Sequence, residues 1–342
     1  MERRRPTIKD VARHAGVSFK TVSRVINGQR GVSGQVEARV RAAIAELGYV
    51  VNYSARSLAQ GASGVMGIII PRVTDPRSLD LIYHVGEAAE RAEIPIAILS
   101  RTSIDPASGV GEIIGHGFFG SLMVMGPRSV NTYLPIIRAL NIPTVVVESL
   151  MDGEAEGVVP CVASDNLGGA RRGVEYLVGL GHQRIAYIAG NDSYQNRKRQ
   201  QGYAEALCEA GLDTPAEYVR VGRWSWQGGH EQVLELMQLP QPPTAVFCAN
   251  DTMALGAMCA LRERGLNVPA DISVLGFDDI PAAWGNRPAL TTVRQPTAEM
   301  VELAFDLLRR AREGEEIPAV NHVLPTELIL RASCAAPEGA AP

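Results

Sequence analysis

The chain has 342 residues, of which 46% are hydrophobic, and a net charge of −4 at pH 7. That length allows two or three domains, and because no stretch reaches the roughly 18 apolar residues of a membrane-spanning helix, a membrane protein is not expected. Residues 1–60 hold eleven Lys and Arg against four Asp and Glu, a net charge of +7, whereas the remainder carries −11. A basic N-terminal part on an acidic body predicts that the first part binds a polyanion.

The first predicted elements are two short helices joined by a tight turn. Thr7 can cap the first helix, Gly16 supplies the permissive backbone of the turn, and Ser18 can cap the second helix. The outward face of the second helix has no carboxylate and combines small polar, basic and planar side chains, namely Phe19, Lys20, Thr21, Ser23, Arg24 and Asn27. This pattern predicts a helix-turn-helix whose second helix enters the major groove of DNA. The alternative is a helical hairpin with a solvated polar face.

A third helix completes the N-terminal part. Ser33 can cap it and Gly48 can end it, which makes residues 1–48 one small all-α domain. Residues 49–63 then form a linker, whose segment 54–59 is too short to be a stable helix on its own in water.

From residue 64 onward, apolar runs of strand length alternate with helical patterns. Such an alternation predicts parallel sheets covered on both faces, and its repetition predicts two α/β lobes with a ligand cleft between them. The first lobe is expected to comprise residues 64–163 and 293–320, and the second residues 164–292 and 321–334. Residues 335–342, rich in small residues and proline, are expected to be disordered.

No catalytic or metal-binding pattern accompanies these elements. None of the six histidines lies in a nucleophile or metal-spaced motif, and there is no phosphate-binding glycine loop. The sequence therefore predicts no catalytic residue, no metal ligand, no cofactor and no enzymatic activity. Five cysteines without paired spacing, and no secretory signal pattern before the first helix, indicate a reducing cytoplasm.

Several motifs are together similar to those of the lactose/galactose repressor family of bacterial transcription regulators. They are Thr7-Ile8-Lys9-Asp10-Val11-Ala12, Gly16-Val17-Ser18, Thr21 to Asn27, Asn52 to Leu58, Gly181-His182, Gly202-Tyr203, Asn250-Asp251, Gly276-Phe277-Asp278-Asp279, Leu290-Thr291-Thr292-Val293 and Gln295-Pro296. The resemblance extends to about residue 333. It implies a cytoplasmic homodimer that binds a palindromic operator in double-stranded DNA. When bound to DNA, the protein is expected on the nucleoid. The resemblance also implies a periplasmic-binding-protein-like core of two lobes, with a small effector between them that controls DNA affinity.

The expected DNA contacts follow from side-chain chemistry and from the resemblance. Lys20 can donate to guanine and Phe19 can pack on a thymine methyl, while Arg24 reads a base edge by resemblance. Hydroxyl and amide groups suited to phosphates are expected at Thr21, Ser23, Asn27 and Ser33, and Thr7 and Ser18 are also expected to contact DNA. The resemblance further implies a hinge helix in the minor groove, with contacts from Asn52, Ala55 and Leu58, where paired Leu58 side chains wedge into a base step.

The expected effector site lies at the carboxyl ends of the strands, where open parallel sheets bind ligands. By resemblance, Asp165, Arg199, Asn250 and Asp278 hydrogen-bond the effector and Trp224 stacks on it. The structural alternatives are helix caps for Asp165 and Asn250, a turn for Asp278 and a surface ion pair for Arg199. After the first strand the chain has Arg77-Ser78 where the family commonly has an aromatic pair, which allows an acidic or phosphorylated effector.

These residues leave the identity of the effector open. A sugar or sugar derivative is the expected effector, and a nucleobase or nucleoside is the alternative effector. For the protein as a whole, the alternative function is a ligand-binding receptor without a DNA role.

The helix predicted over residues 79–92 is the expected dimer contact by resemblance.

Overall fold

The computed structural model describes residues 6–26, 31–49, 64–70, 73, 75–100, 114, 118–125, 135, 138–139, 141–150 and 157–339. The chain divides into two compact units, Met1–Gly64 and Val65–Pro342. No helix among the described residues is both long and apolar enough to cross a membrane.

The first unit consists of the helices α1 (Ile8–Ala15), α2 (Phe19–Ile26) and α3 (Gly34–Leu47). Its core is small and aliphatic, formed by Val11, Ala12, Ala15, Val22, Val25, Val40 and Ala43. The predicted helix starts are confirmed, since Thr7 forms a capping box with Asp10 and the Ser18 hydroxyl accepts from the Thr21 amide. The predicted helix ends are confirmed as well, since Gly16 and Gly48 both have a left-handed backbone conformation. Ser33 precedes α3, but its side chain makes no capping hydrogen bond.

The second unit contains two six-stranded sheets. The first sheet has the order β11-β5-β4-β3-β1-β2 and all its strands are parallel. Its strands are β1 (Met66–Ile70), β2 (Ile96–Ser100), β3 (Ser121–Met125), β4 (Thr144–Val147), β5 (Cys161–Ser164) and β11 (Asn321–Leu324). Helices α4 (Pro76–Arg91) and α10 (Thr297–Arg312) pack together beside it. This sheet and its helices are the first lobe.

The second sheet has the order β12-β10-β9-β8-β6-β7, and β12 is antiparallel to its neighbour. Its strands are β6 (Ile185–Ala189), β7 (Val219–Val221), β8 (Ala245–Cys248), β9 (Ser273–Asp278), β10 (Thr291–Arg294) and β12 (Glu327–Ile329). The helices of this second lobe are α5 (Asn166–Gly179), α6 (Tyr194–Glu209), α7 (Trp226–Leu236), α8 (Asp251–Glu263) and α9 (Pro281–Gly285).

The chain crosses between the lobes three times, after β5, after β10 and after β11. The structure corrects two predicted boundaries here: residues 321–324 pair with β5 in the first sheet, and β10 extends in the second sheet as far as Arg294. Residues 321–329 contain two strands and not one, because Pro325 has no amide hydrogen and the chain changes sheet there.

The start of the predicted disordered tail is also corrected. The carbonyl oxygen of Ala335 lies 2.9 Å from His182 Nε2 and 3.1 Å from Ser273 Oγ, and the Ala335 amide donates back to the same hydroxyl. Burial lowers the pKa of His182, which favours the neutral ring. Hydrogen bonds therefore hold the chain to the second lobe at residue 335.

Candidate functional site

The exposed surface of α2 carries the side chains predicted to read DNA. Phe19 has 53% of its surface exposed, and Lys20 and Arg24 are also exposed, while Val22 and Val25 face the small core. Thr21 and Ser23 are half-buried. No acidic residue occurs within α2, so this surface presents positive charge with no internal counter-charge.

The other predicted DNA contacts have different surroundings. The Thr7 hydroxyl donates to Asp10 Oδ2 at 2.7 Å, and the Ser18 hydroxyl lies 2.9 Å from that of Thr21. Four predicted contacts lie outside the described residues, namely Asn27, Asn52, Ala55 and Leu58. The predicted hinge helix, to which the last three belong, lies outside them too.

A cavity of about 240 Å³ lies between the two lobes of the second unit. It is lined by Ile70, Asp75, Arg77, Ser78, Met125, Glu148, Ser193, Gln195, Arg199, Trp224, Asn250, Asp278 and Gln295. Many of these residues follow directly on strand ends, as the general rule for open parallel sheets requires. The volume is below the roughly 300–1,000 Å³ of sites for drug-sized ligands, so the cavity suits a small ligand.

Arg199 is the central cation of the second-lobe side of the cavity. Its surface is 97% buried, with 3% exposed, so the alternative of a surface ion pair is wrong. The guanidinium donates to Asn166 Oδ1 at 2.8 Å and to the Ala249 carbonyl, and Nη1 lies 3.4 Å from Asp278 Oδ1. It also stacks 3.7 Å above the centre of the Phe277 ring. Burial lowers its pKa, and these contacts hold the guanidinium in one orientation.

Trp224 and Asn250 complete this side. A Cβ atom on Gly190 would lie 2.0 Å from the Trp224 ring, so the indole rests directly on that glycine backbone. Asn250 caps α8 through a 2.9 Å bond from the Met253 amide, and its side-chain amide lies 3.4 Å from the Trp224 carbonyl. The capping role expected as an alternative is therefore present, and Asn250 lines the cavity as well.

Asp278 and Gln295 lie where the lobes join. Gln295 follows β10; its amide donates to Asp278 Oδ1 at 2.6 Å, and its Oε1 accepts from the Ser164 hydroxyl at 2.6 Å. Because Ser164 ends β5 of the first sheet and Asp278 ends β9 of the second, Gln295 connects the two sheets. Burial raises the pKa of Asp278, opposed by Arg199 and Arg77. Sequence reasoning missed Gln295, although its position between a strand and a crossover helix was visible.

On the first-lobe side, Arg77 lies in the first turn of α4, which begins after the N-cap Asp75. Arg77 Nε donates to Glu148 Oε1 at 2.7 Å, while Nη1 donates to Asp80 Oδ2 at 2.9 Å and to the Thr297 hydroxyl at 2.5 Å. Burial raises the pKa of Glu148 to about 6, although Arg77 opposes the shift. The first-lobe side is thus a buried ionic network that reaches the start of α10.

Two further contacts define this network. Gln195 of α6 donates across the cavity to the Glu148 carbonyl at 3.1 Å, which joins the second lobe to the first. Glu148 itself has a left-handed backbone with φ of 75°, an uncommon conformation for a residue other than glycine. Its side chain and its carbonyl therefore contact opposite lobes.

Asp165 is the one predicted effector residue that the structure does not bring to the cavity. Its carboxylate caps α5, with Oδ1 accepting from the Gly168 amide at 2.8 Å, and Oδ2 lies 3.6 Å from Arg172. It is absent from the cavity lining, so in this arrangement the helix-cap alternative describes it.

Comparison with known proteins decides the family. Residues 7–52 match the model for bacterial regulatory proteins of the lacI family, and residues 174–334 match a periplasmic binding protein-like domain. The transcriptional regulator GalS of Salmonella typhimurium is 34% identical over 350 residues, which cover 96% of both chains. The chain belongs to the lacI family of bacterial regulatory proteins.

Further relatives agree with this assignment. The transcriptional repressor CytR of Escherichia coli is 33% identical over 96% of both chains, and the ribose operon repressor of Escherichia coli is 36% identical over 88% of this chain and 92% of its own. A lac repressor dimer bound to operator and the anti-inducer ONPF superposes with a TM-score of 0.85 at 30% identity, covering 97% of this chain and all of that one. This lacI-family protein is therefore a DNA-binding transcription regulator and not an enzyme, and its two α/β lobes are those of the family.

Proposed function

We propose that this lacI-family protein is a homodimeric repressor that binds a palindromic operator and releases or tightens it according to a small effector between the lobes of the second unit. The observation that carries the DNA part is the exposed face of α2, where Phe19, Lys20 and Arg24 project from a helix without a single carboxylate. A polyanion is the partner that such a face fits.

The residues on this face divide into base readers and phosphate contacts. Lys20 and Arg24 read guanine edges, and Phe19 packs on a thymine methyl at the start of the recognition helix. Thr21, Ser23 and Asn27 fix the register on the phosphates, and Thr7 and Ser18 also contact the DNA. Ser33 suits the same role, since its hydroxyl is not used as a helix cap and it precedes the positive end of α3.

The linker supplies the second DNA element. Leu58 of each protomer enters the central base step from the minor groove, while Ala55 is small enough to let the hinge helix lie there and Asn52 contacts the backbone. When it acts, the protein is in the cytoplasm and on the nucleoid.

The dimer contact includes α4. Leu79 and Tyr83 are large apolar side chains on this helix with 53% and 61% of their surface exposed, one turn apart on the same face. A second copy of the chain that covers this face removes both from water.

The effector is a sugar or sugar derivative. The cavity suits a small ligand, Trp224 offers a flat aromatic face, and Arg199, Asn250 and Asp278 offer donors and acceptors to neighbouring hydroxyls. The relatives support a sugar but do not fix its number of rings: one is the ribose operon repressor, and a similar structure, with 32% identity and a TM-score of 0.72, is of the regulator CelR with the two-ring sugar cellobiose.

The DNA part is tested by selecting duplexes from a random library with the purified chain. We expect a palindromic consensus, with Lys20→Ala relaxing the preference at one base pair of each half-site and Leu58→Ala weakening consensus binding far more than non-specific binding. Lys9→Ala, on the exposed surface of α1, is the matched control. Absence of a consensus, or a Lys20→Ala protein with an unchanged consensus, would refute the proposed reading of DNA.

A further inference from the structure

The two sides of the cavity differ in their unused hydrogen-bonding groups. On the first-lobe side, Arg77 is 93% buried, with 7% exposed, and its Nη2 has no hydrogen-bond partner in the part of the chain that the structure describes. Buried guanidinium nitrogens without an acceptor are costly, so such a group points to something that accepts from it.

The free nitrogen lies on a particular edge of the guanidinium. Nε and Nη2 form the edge that takes a carboxylate or phosphate through two parallel bonds. Glu148 supplies one oxygen to Nε at 2.7 Å, while Nη1, on the other side, is already shared between Asp80 and Thr297. The two-pronged edge of Arg77 is therefore only half used.

Ser78 adds a hydroxyl beside it. Only 8% of the surface of Ser78 is exposed, and it lines the cavity with a hydroxyl that can donate to a ligand. Ser78 also lies in the first turn of the 16-residue α4, where backbone amides have no intrahelical acceptor and the helix dipole favours negative charge.

The carboxylates of the cavity, in contrast, already have partners. Asp75 accepts from the Arg77 amide, Glu148 from Arg77 Nε, and Asp278 from Gln295 and Arg199. The surplus on the first-lobe side consists of donors, which an oxygen that only accepts satisfies better than a hydroxyl.

We propose that the effector carries an anionic group, a carboxylate or a phosphate, which binds the Nε and Nη2 edge of Arg77 and the hydroxyl of Ser78 while its ring lies on Trp224. This inference rests on the proposed effector role of the cavity and is independent of how α2 reads DNA. The anion replaces Glu148 on Nε, and Glu148 takes up a proton as its ion pair is lost.

Proton uptake gives the proposal a signature in pH. Among the described residues, the charged groups that interact with Glu148 are Arg77, Arg199, Asp75 and Asp278, and burial has already raised the pKa of Glu148 to about 6. An anionic effector therefore binds more tightly at pH 6 than at pH 8, because protonated Glu148 no longer competes for Arg77. A neutral sugar that leaves the pair intact lacks this dependence.

The test measures thermal shifts and binding isotherms of the full chain with common aldoses, their uronic and aldonic acids, and their phosphates. We expect acidic members to bind, with their neutral parents at least tenfold weaker, and the class that binds identifies the anion as carboxylate or phosphate. Arg77→Gln should weaken the acidic ligand more than tenfold, whereas Arg171→Gln, an exposed paired arginine on α5, should not.

Ser78→Ala is the second variant, since it removes a hydroxyl that takes no part in the hydrogen bonds of Arg77 and leaves that ionic network in place. It should weaken the acidic ligand severalfold at unchanged thermal stability. Neutral sugars that bind as tightly as their acids, no binding by any acidic member, or acid binding unaffected by both Arg77→Gln and Ser78→Ala would each overturn the proposal. None of these results alters whether the protein selects an operator.

Discussion

The two sides of the cavity differ in how many of their hydrogen-bonding groups already have partners within the protein. On the second-lobe side, Arg199 is held by Asn166, Ala249 and Asp278, and Trp224 rests on Gly190. On the first-lobe side, Arg77 Nη2 has no hydrogen-bond partner among the described residues, and Ser78 lines the cavity beside it. The second lobe therefore presents a preformed surface, while the first lobe presents groups that a ligand completes.

This difference coincides with the sequence resemblance. By that resemblance, Arg199, Trp224, Asn250 and Asp278 are the residues expected to contact the effector, whereas Arg77-Ser78 stands where the family commonly has an aromatic pair. We infer that the preformed side positions the ring of the effector and that the first-lobe side selects among its substituents. Specificity then depends on groups whose removal changes binding more than folding.

The largest expected effect is on the preformed side. Arg199→Ala leaves Asp278 and the Ala249 carbonyl without their buried cation, and we expect the free energy of unfolding to fall by about 3–5 kcal/mol. Urea denaturation monitored by tryptophan fluorescence measures it. Arg171→Ala is the control, because that arginine is exposed, and a comparable loss in both variants would contradict the central role of Arg199.

A second change tests the support of the indole. Gly190→Ala would place a methyl group 2.0 Å from the Trp224 ring, so the ring must move, at a cost of about 1–3 kcal/mol in unfolding free energy. We also expect effector affinity to fall at least tenfold. Gly179→Ala, where a Cβ meets nothing within 4 Å, is the matched control. If Gly190→Ala binds the effector with wild-type affinity, the effector does not stack on the Trp224 ring.

Glu148→Gln should have a smaller and opposite effect. The folded-state pKa of Glu148, about 6, lies above its ordinary value of 4.5, so the folded protein binds more protons between these values and loses stability as pH rises through them. The glutamine variant avoids this loss and should be about 1–2 kcal/mol more stable at pH 7.5, with the difference nearly gone at pH 4. Denaturation at both pH values checks it; a destabilised variant at pH 7.5 would contradict the direction of the shift.

The smallest expected effect is that of Ser78→Ala on stability. Since the Ser78 hydroxyl takes no part in the hydrogen bonds of the Arg77 network, we expect the free energy of unfolding to stay within about 0.5 kcal/mol of the wild type. Denaturant titration without ligand measures this. A loss of 2 kcal/mol or more would show that the Ser78 hydroxyl already has a stabilising partner within the protein, as the groups on the second-lobe side do.

The sequence predicted the first unit well because its signals are local. The Thr7 and Asp10 capping box, the left-handed Gly16 and Gly48, and the Ser18 cap each act within one helical turn. Ser33 shows the limit, since the residue type suits a cap but the side chain makes no such bond.

The lobes were harder because their boundaries depend on distant pairing. Strand β11 joins the first sheet by lying beside β5, 160 residues earlier in the chain, and the four-residue β5 was too short to be identified from its own pattern. Asp165 and Arg199 exemplify the same limit in the site. Whether each is a cap, a surface ion or a cavity residue is decided by burial, which a periodic pattern does not specify.

The central claim is that a ligand bound between the lobes changes the affinity of the protein for its operator DNA. The most direct measurement is the operator dissociation constant of the full-length protein at fixed salt, with the selected palindrome, with and without each sugar derivative that binds the cavity. We expect at least one cavity ligand to change this constant about five- to 150-fold, and Arg199→Ala to lose the response. A ligand shown to occupy the cavity that leaves operator affinity unchanged in every case would contradict the account.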